Sequence, residues 1–307
     1  MTNPLTTIVM SMYNAREKTI KVVDKLFFPG LINNASPDKQ LVLLDDCSPA
    51  QKETEALVDK YKPDLVQRFG DVRITRNEQN LGFGASYNKG MKFADGENFL
   101  LVNSDIYLSE GSVDSLVKTL SEDDSYGLVN PVSSYQFGFQ NTFLAPKVKK
   151  YSPEELKQIE EFAKWLRKVM QGKRYKFPNS RGTMSCFVVR KTPETYFDER
   201  FKFGFCEDTD LNERMLRAGY KLIVDASTYV WHYGSASTCQ RKLKSAYALT
   251  INGAKLVAKW GEPLKFLGEF VVGCIQAGFD KHTVSSEIAK HAKEKGLWQE
   301  YQEKFRK

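Results

Sequence analysis

Two acidic clusters carry the side chains with the most potential for chemistry. The first is Asn103-Ser104-Asp105, directly after the apolar run Phe99–Val102, and the second is Glu207-Asp208, at the start of an apparent helix. Asp105 is therefore predicted at a strand end, where α/β sheets collect their ligands. The pair Glu207-Asp208 is predicted in a first helical turn, where unpaired N–H groups favour anionic side chains. Together the clusters suggest a carboxylate site for a metal-bound phosphate ester, although each alone is equally typical of a turn or a cap.

Alternating strands and helices in the first half of the chain would position these clusters. The predicted strands are Thr6–Ser11, Gln40–Leu44, Val72–Thr75 and Asn98–Val102, and the predicted helices between them are Glu17–Phe27, Gln51–Tyr61 and Phe83–Ala94. This order is typical of a mostly parallel, doubly wound α/β sheet with helices on both faces. Loops at the carboxyl ends of the strands would then bring Asp45, Asp46, Asn80 to Asn88 and Asp105 to one edge of the sheet.

The alternation ends after Asn130-Pro131. Residues 147–181 are predicted to be a basic helical insertion, with 11 Lys/Arg against 4 Asp/Glu and a helix that begins at Pro153 behind a Ser152 cap. Thr183–Val189 is predicted to return to the sheet as a buried strand. Residues 240–307 are predicted as a basic helical extension interrupted by Pro263. We therefore expect one domain over residues 1–239, which includes the insertion, followed by the extension.

Composition narrows the class of protein. With 307 residues, 41% of them hydrophobic and 27% charged, the chain is typical of a globular protein with a full core. Its longest apolar runs fall short of the roughly 20 residues that cross a bilayer, so no transmembrane segment is expected. The N-terminus does not resemble a secretion signal. Five widely spaced cysteines without a CxxC pair argue against a disulfide framework and favour a reducing cytoplasm.

The ordered set of motifs resembles the family-2 glycosyltransferases of the GT-A fold. The set comprises Tyr13-Asn14, Asp45-Asp46, the segment from Asn80 to Gly90, Asn103-Ser104-Asp105, Glu207-Asp208 and Trp231-His232-Tyr233-Gly234. The likeness spans about residues 6–238 and is greatest to the branch that includes rhamnosyl- and galactofuranosyltransferases. It implies a GT-A (Rossmann-like) fold and inverting transfer of a sugar from a nucleotide-diphosphate sugar, expected to be UDP-linked.

The resemblance also implies a role for each motif. Asp208 is expected to be the general base that takes the proton of the acceptor hydroxyl, and Glu207 is expected to orient either the acceptor or Asp208. Asp105 and His232 are expected to hold a divalent cation, Mn²⁺ or Mg²⁺. The positions expected to contact the nucleotide sugar are Tyr13, Asn14, Asp45, Asn80, Gly82, Gly84, Asn88, Asn103 and Ser104.

Several of these expectations have a specific chemical reason. Asp45 would accept hydrogen bonds from the N–H groups of a uracil-like ring. Gly82 and Gly84 would let the backbone approach the nucleotide sugar where a Cβ atom would clash. Asp210 is predicted to face another side of the helix from Asp208 and to cap that helix.

The metal ligands depart from the family pattern. Asn103 occupies the first acidic position of the DxD-type motif, so Asp105 is the only carboxylate of the triplet. His232 would compensate as a second ligand. A lone histidine between Trp231 and Tyr233 is equally typical of a packed core residue.

The acceptor stays open at the level of sequence. Relatives in this family mostly extend cell-surface glycans, often on lipid carriers. The cations and aromatic residues of the insertion are also typical of a nucleic-acid surface, so a phage-type enzyme that glycosylates hydroxymethylated DNA bases in the host cytoplasm is a second candidate. The same composition fits a peripheral contact with anionic membrane lipids.

Two other classes of protein share part of the pattern. A nucleotidyltransferase would also have a parallel sheet with acidic metal ligands, but it needs a Gly-rich loop with Lys or Arg after the first strand, and Met12-Tyr13-Asn14-Ala15 is not such a loop. A non-catalytic protein that binds nucleotide sugars or polyanions would not need Asp45, Asp105, Glu207 and Asp208 together. Glycosyl transfer is therefore the preferred hypothesis.

Overall fold

The structure, a computed structural model, describes residues 5–135, 138–177, 184–202, 204–234, 242–278 and 283–306, without the side chains of 242–247 and 273–278. Its strands are β1 (Thr6–Met12), β2 (Gln40–Asp45), β3 (Val72–Arg76), β4 (Asn98–Asn103), β5 (Ile106–Leu108), β6 (Tyr126–Ser133), β7 (Arg174–Lys176), β8 (Cys186–Arg190) and β9 (Lys221–His232). Its α-helices are α1 (Glu17–Val22), α2 (Phe28–Asn34), α3 (Gln51–Phe69), α4 (Phe83–Lys92), α5 (Ser112–Leu120), α6 (Pro153–Val169), α7 (Glu207–Arg217), α8 (Lys242–Trp260), α9 (Pro263–Gly278), α10 (Val284–Glu294) and α11 (Trp298–Lys304).

The strands form one sheet in the order β3-β2-β1-β4-β8-β6-β9-β5, and β7 pairs with β9 outside this path. The strands β1 to β4 are parallel to one another, as the alternation of strands and helices predicts. The second half is mixed, because β8 runs antiparallel to both β4 and β6, whereas β6 and β9 are parallel. Parallel pairing thus predominates where crossover helices join successive strands.

Helices cover both faces of the sheet. Alternate residues of the central strands enter two separate cores: Val9 and Leu101 lie in one with Tyr87 of α4, and Ile8 and Leu100 lie in the other with Leu116 of α5. Because both faces are buried, these strands read as continuous apolar runs. The predicted α/β fold class is confirmed.

Two predicted helices extend beyond a proline. The first predicted helix becomes α1, a π-helical turn over Val23–Phe27 and α2, which has Pro29 in its first turn. The helix α3 continues past Pro63 to Phe69. A proline inside a helix costs about 3 kcal/mol, and burial of Leu65 and Phe69 in the core offsets that cost. Tertiary packing therefore overrides the local stop signal.

The insertion and the extension pack together. Ser152 caps α6 as predicted, since its Oγ accepts the Glu155 N–H at 3.3 Å. On the buried face of α6, the indole of Trp165 donates to the carbonyl of Leu297 at 3.2 Å and its ring contacts Tyr301. The insertion also supplies β7, so it is part of the sheet. The prediction of a strand at Thr183–Val189 is met by β8 from Cys186, and Thr183 lies outside the described residues.

Over the described part of the chain, no helix combines the length and the apolar character needed to cross a bilayer.

Candidate active site

Strand register brings the predicted motifs to one edge of the sheet. Met12 pairs with Asp45 between β1 and β2, and Ser11 pairs with Asn103 between β1 and β4. Because the three strands are parallel, the residues that follow them emerge at the same carboxyl edge. Those residues are Tyr13 and Asn14 after β1, Asp46 after β2, and Ser104 and Asp105 after β4. The structure confirms the shared edge that the sequence predicts.

Asp45 lies buried at the end of β2, where protein groups already contact its carboxylate. Its Oδ1 accepts the Ser48 N–H at 3.0 Å and the Ser48 hydroxyl, and its Oδ2 pairs with the guanidinium of Arg76. The Ser48 Oγ also accepts the N–H of Asn14 at 2.7 Å. Asp45 therefore holds the loop after β1 in place through Ser48. The contact of Asp45 with a nucleobase stays a prediction.

Asn14 offers an acceptor at this edge. Its side chain is buried, and its Nδ2 donates to the Thr54 hydroxyl at 3.2 Å. Its Oδ1 is buried and has no hydrogen-bond partner among the described residues. A buried carbonyl oxygen without a donor is unfavourable, so Asn14 Oδ1 is an acceptor that the described residues leave unsatisfied at this edge.

Asp46, which sequence reasoning did not assign to the site, organises the glycine loop before α4. Its Oδ1 accepts the Leu81 N–H at 2.8 Å, and its Oδ2 accepts the Gly82 N–H at 3.0 Å. The side-chain amide of Asn80, itself exposed, donates to the Asp46 carbonyl at 3.3 Å. Gly82 has a φ of 80°, which a residue with a side chain rarely adopts. The adjacent pair Asp45-Asp46 was the available signal, but spacing alone does not reveal the partner loop.

Gly84 and Asn88 contact the segment after β8. A Cβ atom at Gly84 would lie 3.0 Å from the Cβ of Phe197. The Asn88 amide accepts the Phe197 N–H at 2.8 Å and donates to the Phe197 carbonyl at 2.8 Å and to Glu199 at 3.0 Å. The space that a Gly84 side chain would need is therefore occupied by Phe197, and contact of Gly84 with the nucleotide sugar stays a prediction. Both residues hold α4 against the segment that leads to α7.

Asn103 is the last residue of β4, and Ser104 lies in the turn to β5; both are partly exposed. The Oδ1 of Asn103 accepts the Tyr87 hydroxyl at 3.3 Å, and its N–H donates to the Ser185 carbonyl at 2.7 Å. Tyr13 is also partly exposed, in the loop after β1. Asn103, Ser104 and Tyr13 are therefore accessible to a ligand at this edge.

Asp105 and His232 face each other. The strand β5 follows Asp105 and pairs with the end of β9, with Ile106 opposite His232. The carboxylate Oδ1 of Asp105 lies 3.4 Å from Nε2 of His232, and the Tyr233 N–H donates to the Asp105 carbonyl at 3.0 Å. The structure thus brings together the two residues predicted as metal ligands, although they are far apart in the sequence.

The orientation of the His232 ring is fixed from its other side. Nδ1 lies 3.2 Å from the Tyr135 carbonyl oxygen, and because a carbonyl can only accept, Nδ1 must carry a proton. In a neutral ring, Nε2 then presents a lone pair to the Asp105 carboxylate. Two acceptors at this distance require a proton or a cation between them. His232 is packed at the end of β9, and its role as a metal ligand stays a prediction.

A strained turn precedes the second acidic cluster. Gly204, Phe205 and Cys206 have φ values of 86°, 73° and 70°, so three successive residues lie in the left-handed region. This region is unfavourable for residues with side chains, and such strain concentrates at functional sites. Helix α7 begins directly afterwards at Glu207, which confirms the prediction that Glu207 and Asp208 lie in its first turn.

Glu207 and Asp208 have different environments. Asp208 is partly exposed, and its Oδ1 accepts the Thr209 N–H at 2.8 Å. Glu207 is buried, and its Oε2 has no hydrogen-bond partner among the described residues. Burial, and then the charge of Asp208, raise the pKa of Glu207 from 4.5 to about 8. The buried member of the pair therefore holds its proton to a higher pH than an ordinary glutamate does.

Replacing Glu207 with Gln should change how stability depends on pH. The raised pKa of Glu207 contributes stability that is fully present below its usual value of 4.5 and is lost as the pH rises from there through about 8, because the unfolded chain ionises this carboxyl over that range while the folded protein retains its proton. Relative to wild type, Glu207→Gln should thus gain on the order of 1 kcal/mol or more in unfolding free energy between pH 5 and pH 9. Denaturant unfolding of both proteins at several pH values measures this difference. A difference that is independent of pH would show that Glu207 is ionised in the folded protein.

Asp210 does not cap α7, and the prediction that it does was wrong. Its carboxylate is fully buried and lies 2.7 Å from Lys259 Nζ, 3.0 Å from the Trp260 indole nitrogen and 3.0 Å from Arg214 Nε. Lys259 and Trp260 belong to α8. The residue therefore anchors the extension onto α7, which sequence spacing within one helix could not reveal.

Comparison with solved structures defines the class of the fold. The crystal structure of GalNAc-T7 with UDP, GalNAc and Mn²⁺ superposes with a TM-score of 0.58 at 15% identity, over 99% of this chain and 56% of that one. At this identity the likeness concerns the fold alone. It confirms the predicted GT-A type of α/β fold.

The sequence comparisons give the family. The sequence model of the family described as glycosyl transferase family 2 matches residues 7–192. This range contains Asp45, Asn103 and Asp105 and ends before α7. The chain belongs to this family.

Two curated relatives show how much of the chain the sequence similarity covers. An uncharacterized glycosyltransferase of Methanocaldococcus jannaschii is 30% identical over 105 residues, 34% of this chain and 33% of that protein. The N-acetylglucosaminyl-diphospho-decaprenol L-rhamnosyltransferase of Mycobacterium tuberculosis is 26% identical over 208 residues, 56% of this chain and 62% of that protein. The matched segments thus cover less than two thirds of either relative.

Proposed function

We propose that this protein transfers a sugar, with inversion, from a nucleotide-diphosphate sugar to an acceptor hydroxyl, and that the donor is UDP-linked. The observation that carries the proposal is the facing pair of Asp105 and His232 at the carboxyl edge of the sheet, 3.4 Å apart. The presence of UDP and Mn²⁺ in the GalNAc-T7 structure supports the same choice of donor and cation. The direct test is release of nucleotide from a panel of nucleotide sugars, with and without added Mn²⁺.

The residues present fit a divalent cation. The Asp105 carboxylate supplies one oxygen ligand, and the Nε2 lone pair of His232 supplies one nitrogen ligand. A single cation between them would relieve the repulsion of their lone pairs. Within the described residues, no cluster of three or more His, Cys, Asp or Glu side chains could hold a metal ion. A donor diphosphate and water would therefore complete the coordination. The bound cation would stabilise the negative charge of the departing diphosphate.

Asp208 is the proposed general base. In a direct displacement, the acceptor oxygen forms a bond to the anomeric carbon as the bond from that carbon to the diphosphate breaks, and the hydroxyl proton passes to a carboxylate. Asp208 is the partly exposed carboxylate of the pair, whereas Glu207 is buried. We assign Glu207, whose pKa is raised by burial, the supporting role of positioning Asp208 or the acceptor.

We propose a glycan as the acceptor, either lipid-linked or part of a surface polysaccharide. The name of the mycobacterial relative includes a diphospho-decaprenol-linked sugar, which supports this class. Ion pairs within the protein also support it. Arg174 lies 2.7 Å from the buried Asp225 and 2.9 Å from Glu122, and Lys164 lies 2.9 Å from Glu110. These cations already have protein partners and are less suited to phosphates of DNA.

One feature favours a polyanion as the second candidate acceptor. A cavity of about 750 Å³ lies between α5, α6 and β7, and its lining includes Lys118, Lys164, Arg167, Lys168 and Arg174 against a single carboxylate, Glu122. Such a basic groove could follow a phosphate backbone. Hydroxymethylated DNA is therefore kept as the alternative acceptor, and anionic lipid as an alternative surface for the groove.

Replacing Lys118, Lys168 and Lys173 with Ala should leave transfer to a neutral glycan nearly unchanged at both low and high salt. All three side chains are exposed, and Arg174, which supports Asp225, stays intact. Transfer rates and filter binding of duplex DNA between 50 and 200 mM salt provide the measurement. A DNA acceptor would instead show a log–log salt slope of about −0.9 per phosphate neutralised, and the triple variant would reduce that slope. Vesicle binding that the variant abolishes would indicate anionic lipid.

We place the reaction in a reducing cytoplasm and divide the chain at residue 239 into a catalytic domain and an extension. Cys47 and Cys186 are thiols rather than halves of a disulfide, which supports the compartment. The family match ends at residue 192. The anchoring of α8 on Asp210 means that the extension contacts the catalytic domain directly beside the proposed base.

A further inference from the structure

The helix α8 inserts one buried amide into the turn that precedes the catalytic helix. The Nδ2 group of Asn252 donates to the carbonyl oxygens of Lys202 and Gly204, both at 2.8 Å, and to that of Phe205 at 3.1 Å. Only 1% of Asn252 is exposed. A single side chain of the extension therefore holds several backbone groups directly before Glu207 and Asp208.

The turn needs such a donor because of its own conformation. Three consecutive left-handed residues at 204–206 direct the backbone away from the regular pattern of α7, whose ladder begins with the Asp210 N–H bonding to the Cys206 carbonyl at 2.9 Å. Buried backbone carbonyl groups that accept no hydrogen bond within α7 need a donor from another part of the protein. Asn252 supplies that donor, and its amide can bond to more than one carbonyl at once.

Neighbouring contacts hold the same helix in place. Lys255 Nζ donates to the Arg200 carbonyl at 2.7 Å, and Lys259 pairs with Asp198 at 2.8 Å. Below the turn, Cys206 packs in a small apolar cluster with Leu256 and other side chains. The turn is thus held by hydrogen bonds to Asn252 and by apolar packing from α8.

We propose that Asn252 is a positioning residue for sugar transfer, which holds the turn at 204–206 in the one conformation that sets Asp208 at the start of α7. Asn252 acts through this backbone and not through contact with a substrate. The inference rests on the proposed function, in which Asp208 is the base. It matters for rate because a displacement of about 1 Å at a reacting group can lower turnover about 10²-fold.

The first test compares Asn252→Ala with wild type. Alanine is the best helix former, so any loss arises from the missing amide and not from α8 itself. We expect kcat for nucleotide release from the preferred sugar of the donor panel to fall about 10- to 100-fold, with KM for that donor unchanged. Asn252→Asp should fall at least as far, because a carboxylate oxygen would then face carbonyl oxygens. Wild-type kcat in either variant would overturn the proposal.

Trp260→Phe is the matched control. It removes the indole hydrogen bond to Asp210 from the same helix but leaves the contacts of Asn252 intact. We expect it to lower the melting temperature as Asn252→Ala does while retaining kcat, with all rates measured well below the transition. An equal fall of kcat in both variants would show that loose docking of α8 is responsible, and would overturn a specific role for Asn252.

Hydrogen exchange tests the positioning without reference to activity. In full-length Asn252→Ala, the amides from Phe205 to Asp210 should exchange at least about tenfold faster than in wild type, and in Trp260→Phe they should not. Unchanged exchange in Asn252→Ala would overturn the proposal. Full turnover in Asp208→Asn would be a failure of the proposed function instead, and the exchange result would still decide whether Asn252 holds the turn. Asn252→Ser, which keeps one donor, should give intermediate exchange and provides the comparison if the alanine variant does not fold.

Discussion

Asp208→Asn should lower kcat for sugar transfer at least about 10²-fold while leaving the Kd for the nucleotide sugar nearly unchanged. General-base catalysis contributes about this much, and an amide of the same shape cannot take the proton of the acceptor hydroxyl. The amide oxygen can still accept the Thr209 N–H that Asp208 Oδ1 accepts in the wild type, so the first turn of α7 should keep its structure. Steady-state transfer gives kcat, and calorimetric titration with UDP gives the affinity.

Two variants make this result specific. Asp124→Asn changes an exposed carboxylate and should have wild-type turnover. Asp210→Asn should lower the free energy of unfolding, because the buried Asp210 carboxylate pairs with Lys259 and Arg214. Its affinity for the donor should stay close to that of the wild type. Near-normal turnover in Asp208→Asn would contradict the assignment of Asp208 as the general base.

The carboxyl edge of the sheet could be predicted because it depends on local patterns. Strands buried on both faces give continuous apolar runs, and parallel strands joined by helices end on the same side. These patterns alone predict Asp45, Asp46 and Asp105 at one edge of the sheet. The strand register adds a residue that the sequence does not single out: Ser11 of β1, the strand between β2 and β4, lies opposite Asn103.

Partners from distant segments could not be predicted in the same way. Asp46 bonds to the backbone of Leu81 and Gly82, and Asp210 pairs with Lys259 of α8. In each case the acidic residue has a simple local explanation, a turn or a cap, that is equally consistent with the sequence. Only the fold shows that the carboxylate is used for a long-range contact.

The insertion illustrates the limit of counting charges. The helix α6 and its Ser152 cap follow from periodicity and local chemistry, and both are confirmed. Its basic excess indicated a surface for polyanions, but the acidic partners of Lys164 and Arg174 come from outside the segment: Glu110, Glu122 and Asp225. A net charge computed over one stretch of sequence does not include these partners.

Removal of divalent cations should abolish sugar transfer, and Mn²⁺ or Mg²⁺ should restore it. The physical reason lies in the arrangement of Asp105 and His232. The Tyr135 carbonyl requires a proton on Nδ1 of His232, so that Nε2 is the atom available to a metal beside the Asp105 carboxylate. Without the cation, the negative charge of the leaving diphosphate would lack its main compensation. Transfer assays in chelator, followed by titration with each metal, measure the effect.

Substitution of each ligand should separate this role from packing. Loss of an outer-shell partner of a metal costs about 10- to 100-fold in affinity, and loss of a ligand should cost at least as much. Asp105→Asn and His232→Gln should therefore weaken Mn²⁺-dependent binding of UDP at least about tenfold, while binding in chelator stays equal to wild type. His291→Gln is the matched control, because His291 lies in α10 beside Glu294. If transfer persists in excess chelator and His232→Gln affects only stability, then His232 is a packing residue beside Trp231 and the departing diphosphate is stabilised by protein groups alone.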